Sequence, residues 1–251
     1  MKRTARIALS TLAVVGGMSA AQADWSVGAG FENFRWKEST NPQVKESGLR
    51  WVFDLMWAQS REPGLSAGYQ GRFYVGNVDY TGAFLGTNIP VSSETHYRGL
   101  SNEVQSIYRL QSGLGFVLAG GWDHWTRDLS AAQKETWDVL YARLGATFNF
   151  SARQGLHGSA GIKYPVYVRE NAHLTDIGFQ QNPRLRPRGD FSFYATVGYR
   201  VTPAWEIAAY YDSYRFKQSN TVAVTTATTT SAVFQPKSKQ DMIGMKVQHN
   251  F

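Results

Sequence analysis

The chain has 251 residues and no cysteine, so neither a disulfide framework nor a thiolate metal site is possible. Its formal net charge is +7, but Lys2, Arg3 and Arg6 lie in the first 23 residues, which leaves +4 from Asp24 onward. A small positive net charge of this kind is more typical of proteins that contact anionic surfaces than of proteins that bind nucleic acid. No later segment has 18 consecutive apolar residues, so the sequence predicts no membrane-spanning helix.

The first 23 residues predict a secretory signal peptide. Basic residues are followed by an apolar run from Ile7 to Val15, and small residues end the segment at Ala21-Gln22-Ala23. The alternative, a membrane anchor, would need about 20 apolar residues to span a bilayer. We therefore expect a signal peptide at residues 1–23 and one β domain at residues 24–251.

After Asp24, apolar residues recur at every second position in ten segments. In the second segment, for example, Trp51, Phe53 and Leu55 share one face while Arg50 and Asp54 share the other. The segments are approximately 25–36, 49–60, 65–76, 103–111, 114–126, 137–150, 156–170, 190–201, 205–216 and 242–251. Many aromatic residues and 24 glycines accompany this weak alternation, as is typical of transmembrane β-barrels.

The predicted connections alternate between short and long. The short ones lie at 61–64, 112–113, 151–155 and 202–203, and the longer ones at 37–48, 77–100, 127–135, 171–189 and 218–237. This alternation predicts an all-β protein, a ten-stranded antiparallel transmembrane β-barrel with short periplasmic turns and five longer extracellular loops. Its location would be the outer membrane of a Gram-negative bacterium. The alternative is a secreted β-sandwich.

Phe251 ends the tenth segment, on the same face as Ile243, Met245 and Val247. An even number of strands places both termini at the periplasmic side, so Phe251 is expected at that rim, facing lipid. Such a terminal aromatic resembles the signal that the barrel assembly machinery reads, which predicts this machinery as a partner.

Ten strands enclose a narrow lumen, which argues against a general diffusion pore. The less apolar face of the strands carries charges of both signs, which are expected to pair across the lumen because unpaired charge there is costly. These charged residues are Arg50, Asp54, Arg72, Arg109, Asp123, Arg143, Lys163, Arg169, Arg200, Asp212 and Lys246.

The second half of the chain resembles the omptins, which are ten-stranded outer-membrane endopeptidases. The resemblance is carried by the stretch 191–221 with its GYRVTP turn at 198–203, by GIKYPVYVRENAH at 161–173, and by GMKV at 244–247. The first half resembles them only in the order of its strands. These are scaffold features, so they imply the fold more strongly than the activity.

The resemblance implies two catalytic pairs, Asp-x-Asp after strand three and Asp-x-His after strand seven, which activate a water between them. Here Asp79 holds one expected position, with Thr81 where the second acid belongs. His173 holds another, with Asn171 in place of its carboxylate. Alternation also turns Asp79 away from the lumen unless the chain bulges after Gly76. Asp79 and His173 are therefore candidate catalytic residues of an altered site.

Two other stretches carry chemically active side chains. In WDHWTRD (122–128), alternation directs Asp123 and Trp125 inward and Trp122 and His124 toward headgroups, the arrangement of an aromatic belt. His157 and Ser159 have the spacing of a pair on one strand face, but at the periplasmic end and with no third group to orient the histidine. The low-complexity stretch 225–232 is expected to be mobile.

Arg184, Arg186 and Arg188 lie in the fourth outer loop and are candidate ligands for the phosphates of lipopolysaccharide, because guanidinium groups bind phosphate in a bidentate manner. A solvated loop is the alternative. No metal-ligand cluster and no phosphate-binding glycine motif is found, so no cofactor is expected beyond lipopolysaccharide as a structural lipid.

The main functional prediction is a barrel that displays its loops for contact with lipopolysaccharide or an external partner, without a clear catalytic site. An omptin-like endopeptidase and a narrow channel are the alternatives.

Overall fold

The computed structural model describes residues 24–59, 63–83, 88–130, 133–149 and 155–251. Within these residues, ten long antiparallel strands form the wall of a single closed barrel. They are β1 (Asp24–Glu38), β2 (Lys45–Ala58), β3 (Gly64–Ala83), β4 (Pro90–Arg109), β5 (Leu114–Asp128), β6 (Lys134–Asn149), β7 (Gly155–Ala172), β8 (Ser192–Arg200), β9 (Trp205–Lys217) and β10 (Ser238–Asn250).

Each strand pairs with its neighbours in the chain, and β10 closes the barrel by pairing with β1, where Phe31 lies opposite Met245. The predicted ten-stranded barrel is thus confirmed. The predicted signal peptide lies outside the described residues, as do the turn residues 61–62 and 151–154, so those predictions stay predictions.

The distribution of apolar side chains is inverted relative to a soluble sandwich. Trp51 and Leu118 are 61% and 62% exposed on the outside of the wall. The lumen instead holds buried aromatic and charged side chains, including Trp36 and Arg50 at 0% and 1% exposure. An apolar outer face with a polar inner face requires lipid outside, because only lipid favours such a surface.

Several strands extend beyond their predicted ends. Most of the predicted loop 77–100 is strand, because β3 continues to Ala83 and β4 starts at Pro90. The predicted loops at 37–48 and 127–135 shorten in the same way, to 39–44 and 129–133. The backbone ladder continues above the apolar belt, but outward residues there are polar, so the hydrophobic alternation that marks a strand disappears.

A bulge in the pairing of β6 with β7 changes the face of several residues. The register shifts between Leu140 and Tyr141. As a result Val168 is buried in the lumen and Tyr167 faces outward. The sequence-based assignment of Arg169 to the lumen is therefore wrong, since its guanidinium pairs outside the wall with Asp138 at 2.5 Å.

Tyrosine rings in the lumen lie directly over glycines of neighbouring strands. A Cβ atom placed on Gly121 would lie 2.4 Å from the ring of Tyr141, and one on Gly99 would lie 2.3 Å from the ring of Tyr74. Glycine at these two positions gives the ring the space to lie flat across the next strand.

A short 3-10 turn, Leu174–Ile177, follows β7. Among the described residues, no helix has the length and apolar character needed to cross a membrane.

Candidate functional site at the outer end of the barrel

The outer surface changes from apolar to polar at one height around the wall. On β1, Phe31 is the last exposed large apolar residue, and Asn33 and Arg35 follow at the next outward positions. On β7 the change falls between Tyr167 and Arg169. From Asn33 to the end of β1 the strand continues for six residues, or about 15 Å for a tilted strand. The outer end of the barrel therefore projects beyond the apolar belt.

An aromatic core fills the lumen toward this outer end. The indole rings of Trp125 and Trp137 stack at 5.4 Å with an interplanar angle of 7°. Trp36 meets Trp137 edge-on, also at 5.4 Å, and Phe216 lies 5.5 Å from the same ring. These four residues are at most 1% exposed. The core comes from β1, β5, β6 and β9, so it joins opposite sides of the wall.

Below the aromatic core, the lumen charges form ion pairs, as the sequence predicts. Asp54 binds Arg72 at 2.7 Å and Lys246 at 2.6 Å. Arg143 binds Asp212 at 2.7 Å and Glu103 at 3.1 Å. These pairs surround a cavity of about 260 Å³ in the periplasmic half of the lumen. Paired charges across the lumen hold strands that are far apart in sequence.

Beside the aromatic core, one arginine binds three carboxylates. Arg127 is buried, and its guanidinium lies 2.8 Å from Glu135, 3.0 Å from Glu46 and 3.3 Å from Glu38. A fourth buried carboxylate, Glu170 of β7, lies opposite Trp137 in the pairing of β6 with β7, and we call these four residues the carboxylate cluster (Glu38, Glu46, Glu135 and Glu170).

Three members of the carboxylate cluster also accept hydrogen bonds from neutral donors. The indole nitrogen of Trp36 donates to Glu38 at 2.8 Å, and that of Trp137 donates to Glu135 at 3.2 Å. Thr95 and Tyr97 both donate to Glu46. The cluster is thus bonded to the aromatic core as well as to Arg127.

The three arginines predicted to bind phosphate lie on the outer wall. Residues 184–190 precede β8 and extend its line toward the outer end of the barrel. Leu185 pairs with Glu170 of β7, and Gly189 pairs with Phe216 of β9. Arg184, Arg186 and Arg188 are exposed at alternate positions, and the residues between them are buried. We call these three residues the basic wall.

The two long outer loops, at 173–191 and 218–237, are bonded to each other. The amide of Gln180 donates to the carbonyl of Thr225 at 2.8 Å, and the amide of Arg186 donates to the side chain of Asn220 at 2.8 Å. Leu174 and Val224 pack together beneath these bonds. The two loops therefore form one platform.

The threonine-rich stretch 225–232 lies in a hairpin of this platform. Its strands are Val222–Thr225 and Thr230–Val233, and the amide of Thr226 donates to the carbonyl of Thr229 at 2.8 Å in the turn. The stretch forms a regular hairpin because threonine favours strands. Its mobility, which the composition predicts, stays a prediction.

No hydrogen bond or ion pair joins the two candidate catalytic residues in the part of the chain described. Asp79 is exposed on the outer face of β3, opposite Ser47 and Glu94, and no bulge after Gly76 turns it inward. His173 follows β7, and its Nε2 lies 2.9 Å from the Thr136 hydroxyl. The catalytic role of Asp79 and His173 stays a prediction.

The Asn171–His173 pair does form a contact. The amide nitrogen of Asn171 lies 3.4 Å from Nε2 of the histidine. An amide cannot stabilise an imidazolium as a carboxylate does, so this contact does not supply the base that the omptin resemblance implies.

The stretch WDHWTRD has the faces that alternation predicts. Asp123 and Trp125 are buried in the lumen, where Asp123 accepts a hydrogen bond from Tyr74 at 2.7 Å. His124 faces outward and its Nδ1 lies 2.9 Å from Asp138. Partial burial opposes the ionisation of Asp138, but hydrogen bonds from His124 and Arg169 outweigh it and lower the pKa of this carboxyl.

His157 has a partner that sequence reasoning missed. Its Nε2 lies 2.9 Å from the carboxylate of Glu206. The contact joins β7 to β9, which are separated by β8. Ser159 lines the same cavity, but no hydrogen bond joins it to His157 in the part of the chain described. Glu206 is 49 residues away in sequence, so spacing alone gave no sign of it.

Sequence reasoning also missed the carboxylate cluster. Glu38 and Glu46 fall within the predicted loop 37–48, so no strand face was assigned to them. The available signal was the alternation itself. If it is extended back to residue 45, Glu46 falls on the inward face with Arg50 and Asp54.

A closed antiparallel barrel with an apolar outer belt, paired charges inside and longer loops at one end is the architecture of bacterial outer-membrane proteins. The chain is an outer-membrane β-barrel of omptin-like fold, located in the outer membrane of a Gram-negative bacterium. In the part of the chain that the structure describes, no group of three His, Cys, Asp or Glu side chains is placed to hold a metal ion.

A solved structure supports this fold. The barrel is similar to the outer membrane protease OmpT from Escherichia coli, with a TM-score of 0.53 and 11% sequence identity over 91% of this chain and 96% of that one. Neisserial surface protein A gives a TM-score of 0.37 at 12% identity, over 90% of this chain and 97% of that one. No family model matches the sequence, and no curated protein matches it. At such identities the likeness to OmpT shows the fold alone.

Proposed function

We propose that this barrel presents its outer end for contact, binding the phosphates of lipopolysaccharide at the basic wall and an external partner at the loop platform. The basic wall is the observation that carries the proposal. Its three guanidinium groups are exposed on one face, and none of them forms a salt bridge within the described residues.

The height of the basic wall supports lipopolysaccharide as its ligand. Phe191 and Phe193, directly below, are 59% and 55% exposed and belong to the apolar belt. Arg188 lies three residues above Phe191, or about 10 Å along the strand. Headgroup phosphates lie just above the acyl chains, and arginine binds phosphate in a bidentate manner.

We expect the triple variant Arg184→Gln/Arg186→Gln/Arg188→Gln to bind lipopolysaccharide roughly 100-fold more weakly than the wild type, since a cation near an anionic lipid surface contributes about 1 kcal/mol. Binding to the folded barrel in detergent is measured by titration at low and high salt. The matched control is Lys45→Gln/Arg98→Gln/Lys134→Gln, which removes three outward cations elsewhere on the rim. An equal loss of lipopolysaccharide affinity in the two variants would contradict the basic wall as the binding site.

The loop platform supports contact with an external partner. Ala227 to Ala232 are exposed at the tip of the hairpin, and the platform beneath them is held by hydrogen bonds between the two loops. Phe251, which is 74% exposed beside His249, is proposed as the recognition point for the barrel assembly machinery.

We expect no single-channel conductance from the wild-type barrel in a planar bilayer. Trp36, Trp125, Trp137 and Phe216 fill the lumen at the outer end and are almost completely buried. Steady single-channel currents, from protein shown to be folded by heat-modifiable migration, would favour the narrow channel over a contact protein.

A further inference from the structure

The carboxylate cluster has fewer cations than its carboxylates require. Among the described residues, Arg127 is the cation that contacts it, and Arg127 binds Glu38, Glu46 and Glu135. Glu170 forms no ion pair in the described residues, so one guanidinium is the cation for a cluster of four carboxylates. Several ionised carboxylates with one cation in a buried space repel one another, so the arrangement is stable only if at least one of them is neutral.

Glu170 is the member whose ionised form is least stabilised. It is 2% exposed, and its Oε2 atom is buried without a hydrogen-bond partner. The other three carboxylates each bind Arg127 and accept at least one neutral donor. A buried oxygen with no donor is costly when charged, whereas a protonated carboxyl avoids most of that cost.

The electrostatic surroundings agree with this assignment. Glu170 lies above the apolar belt, since the outward neighbours Arg169 and Asn171 are already polar. Burial raises the pKa of Glu170 well above its usual range, the charges of Glu135 and Glu38 raise it further, and Arg127 opposes this shift only in part. Tyr80 and Tyr97 are buried beside the cluster as well, and burial raises the pKa of each.

We propose that Glu170 is a proton-binding site that holds the outer end of the barrel closed while it is protonated, and that its ionisation loosens the base of the loop 218–237.

The connection to the loop runs through Glu38. Of the three carboxylates on Arg127, Glu38 is the most distant, at 3.3 Å. The same Glu38 oxygen accepts a hydrogen bond from Gln235 of the loop at 3.2 Å, and the next residue, Ser39, donates its amide to the carbonyl of Lys237 at 2.8 Å. An ionised Glu170 repels Glu38 and competes with it for Arg127, so Glu38 is the group expected to move.

The direction of the pH dependence follows from the raised pKa. A carboxyl with a raised pKa in the folded state contributes its full stability at acid pH, and that stability is lost as the pH rises through the folded-state pKa. The outer end is therefore expected to be tight in mildly acidic medium and looser in alkaline medium.

Infrared difference spectroscopy of the full folded barrel tests the proton directly. At neutral pH the wild type should show the C=O stretch of a buried protonated carboxyl group, and Glu170→Gln should lack it. Glu170→Met is a second variant in case the amide disturbs folding. Glu94→Gln, which changes an exposed glutamate on the outside of the wall, is the matched control and should keep the band. A wild type without the band, or a Glu170→Gln barrel that keeps it, would overturn the proposal.

Tryptic cleavage at the exposed Lys237 tests the release of the loop. The ratio of wild-type to Glu170→Gln cleavage should rise several-fold from mildly acidic to mildly alkaline pH, because only the wild type has a carboxyl group at this position that can ionise. The ratio removes the pH dependence of the protease, which is the same for both barrels. A constant ratio would refute the coupling. Neither experiment involves lipopolysaccharide, so each can fail while the proposed function stands.

Discussion

Replacing Arg127 by Met should lower the free energy of unfolding by about 3–5 kcal/mol, because it leaves Glu38, Glu46 and Glu135 buried without their shared cation. The loss is measured by urea titration of the barrel in lipid vesicles, with the folded fraction followed by heat-modifiable migration. The loss should shrink at acid pH, where protonation neutralises the carboxylates that Arg127 no longer compensates.

Arg98→Met is the control for this experiment. Arg98 faces outward on β4, the neighbour of β5, and its Nε donates to Thr126 at 3.1 Å without an ion pair in the described part of the chain. Its replacement should change the free energy of unfolding by no more than about 0.5 kcal/mol. Similar losses in the two variants would mean that the buried cluster contributes no more than an exposed cation does.

Replacing Trp137 by Ala should also lower the free energy of unfolding by about 3–5 kcal/mol. The side chain is fully buried, stacks on Trp125, touches Trp36 and Phe216, and donates to Glu135. Its removal leaves a cavity between opposite sides of the wall and takes away one of the two donors to Oε2 of Glu135, the other being Arg127. The same vesicle titration measures the loss.

The control for the aromatic core is Leu118→Ala on the outside of β5, where Leu118 is 62% exposed. Lipid chains can move into the space left there, so no cavity remains and the loss should be clearly smaller. Trp137→Phe should fall between the two, since it keeps a ring in the stack. An order in which Leu118→Ala costs more than Trp137→Ala would contradict the role assigned to the aromatic core.

Local pattern was sufficient for the architecture. Alternation through segments such as 49–60 identified the strands, and the outward residues Trp51 and Phe53 are exposed as expected. Charges on the opposite face, such as Asp54 and Arg72, do pair inside the lumen. A strand in a barrel has a fixed period of two, so sequence alone determines which side chains share a face.

The ends of the strands were not predictable in the same way. Above the belt the outward residues are polar, as at Asp79 and Glu94, so the outward apolar repeat that marks a strand ends there. The bulge beside Leu140 was equally hidden, and it moved Arg169 to the outside. A bulge depends on the register of two strands, which neither strand specifies by itself.

The sequence alone determined the class of protein, the number of strands and the outward position of the lipid-facing side chains, because each follows from a repeat of two residues within a single strand. Only the tertiary structure decided which charges meet. Glu38, Glu46, Arg127, Glu135 and Glu170 come from five strands, and Arg127 is 89 residues from Glu38. Their proximity depends on the closure and stagger of the barrel, which no local repeat contains.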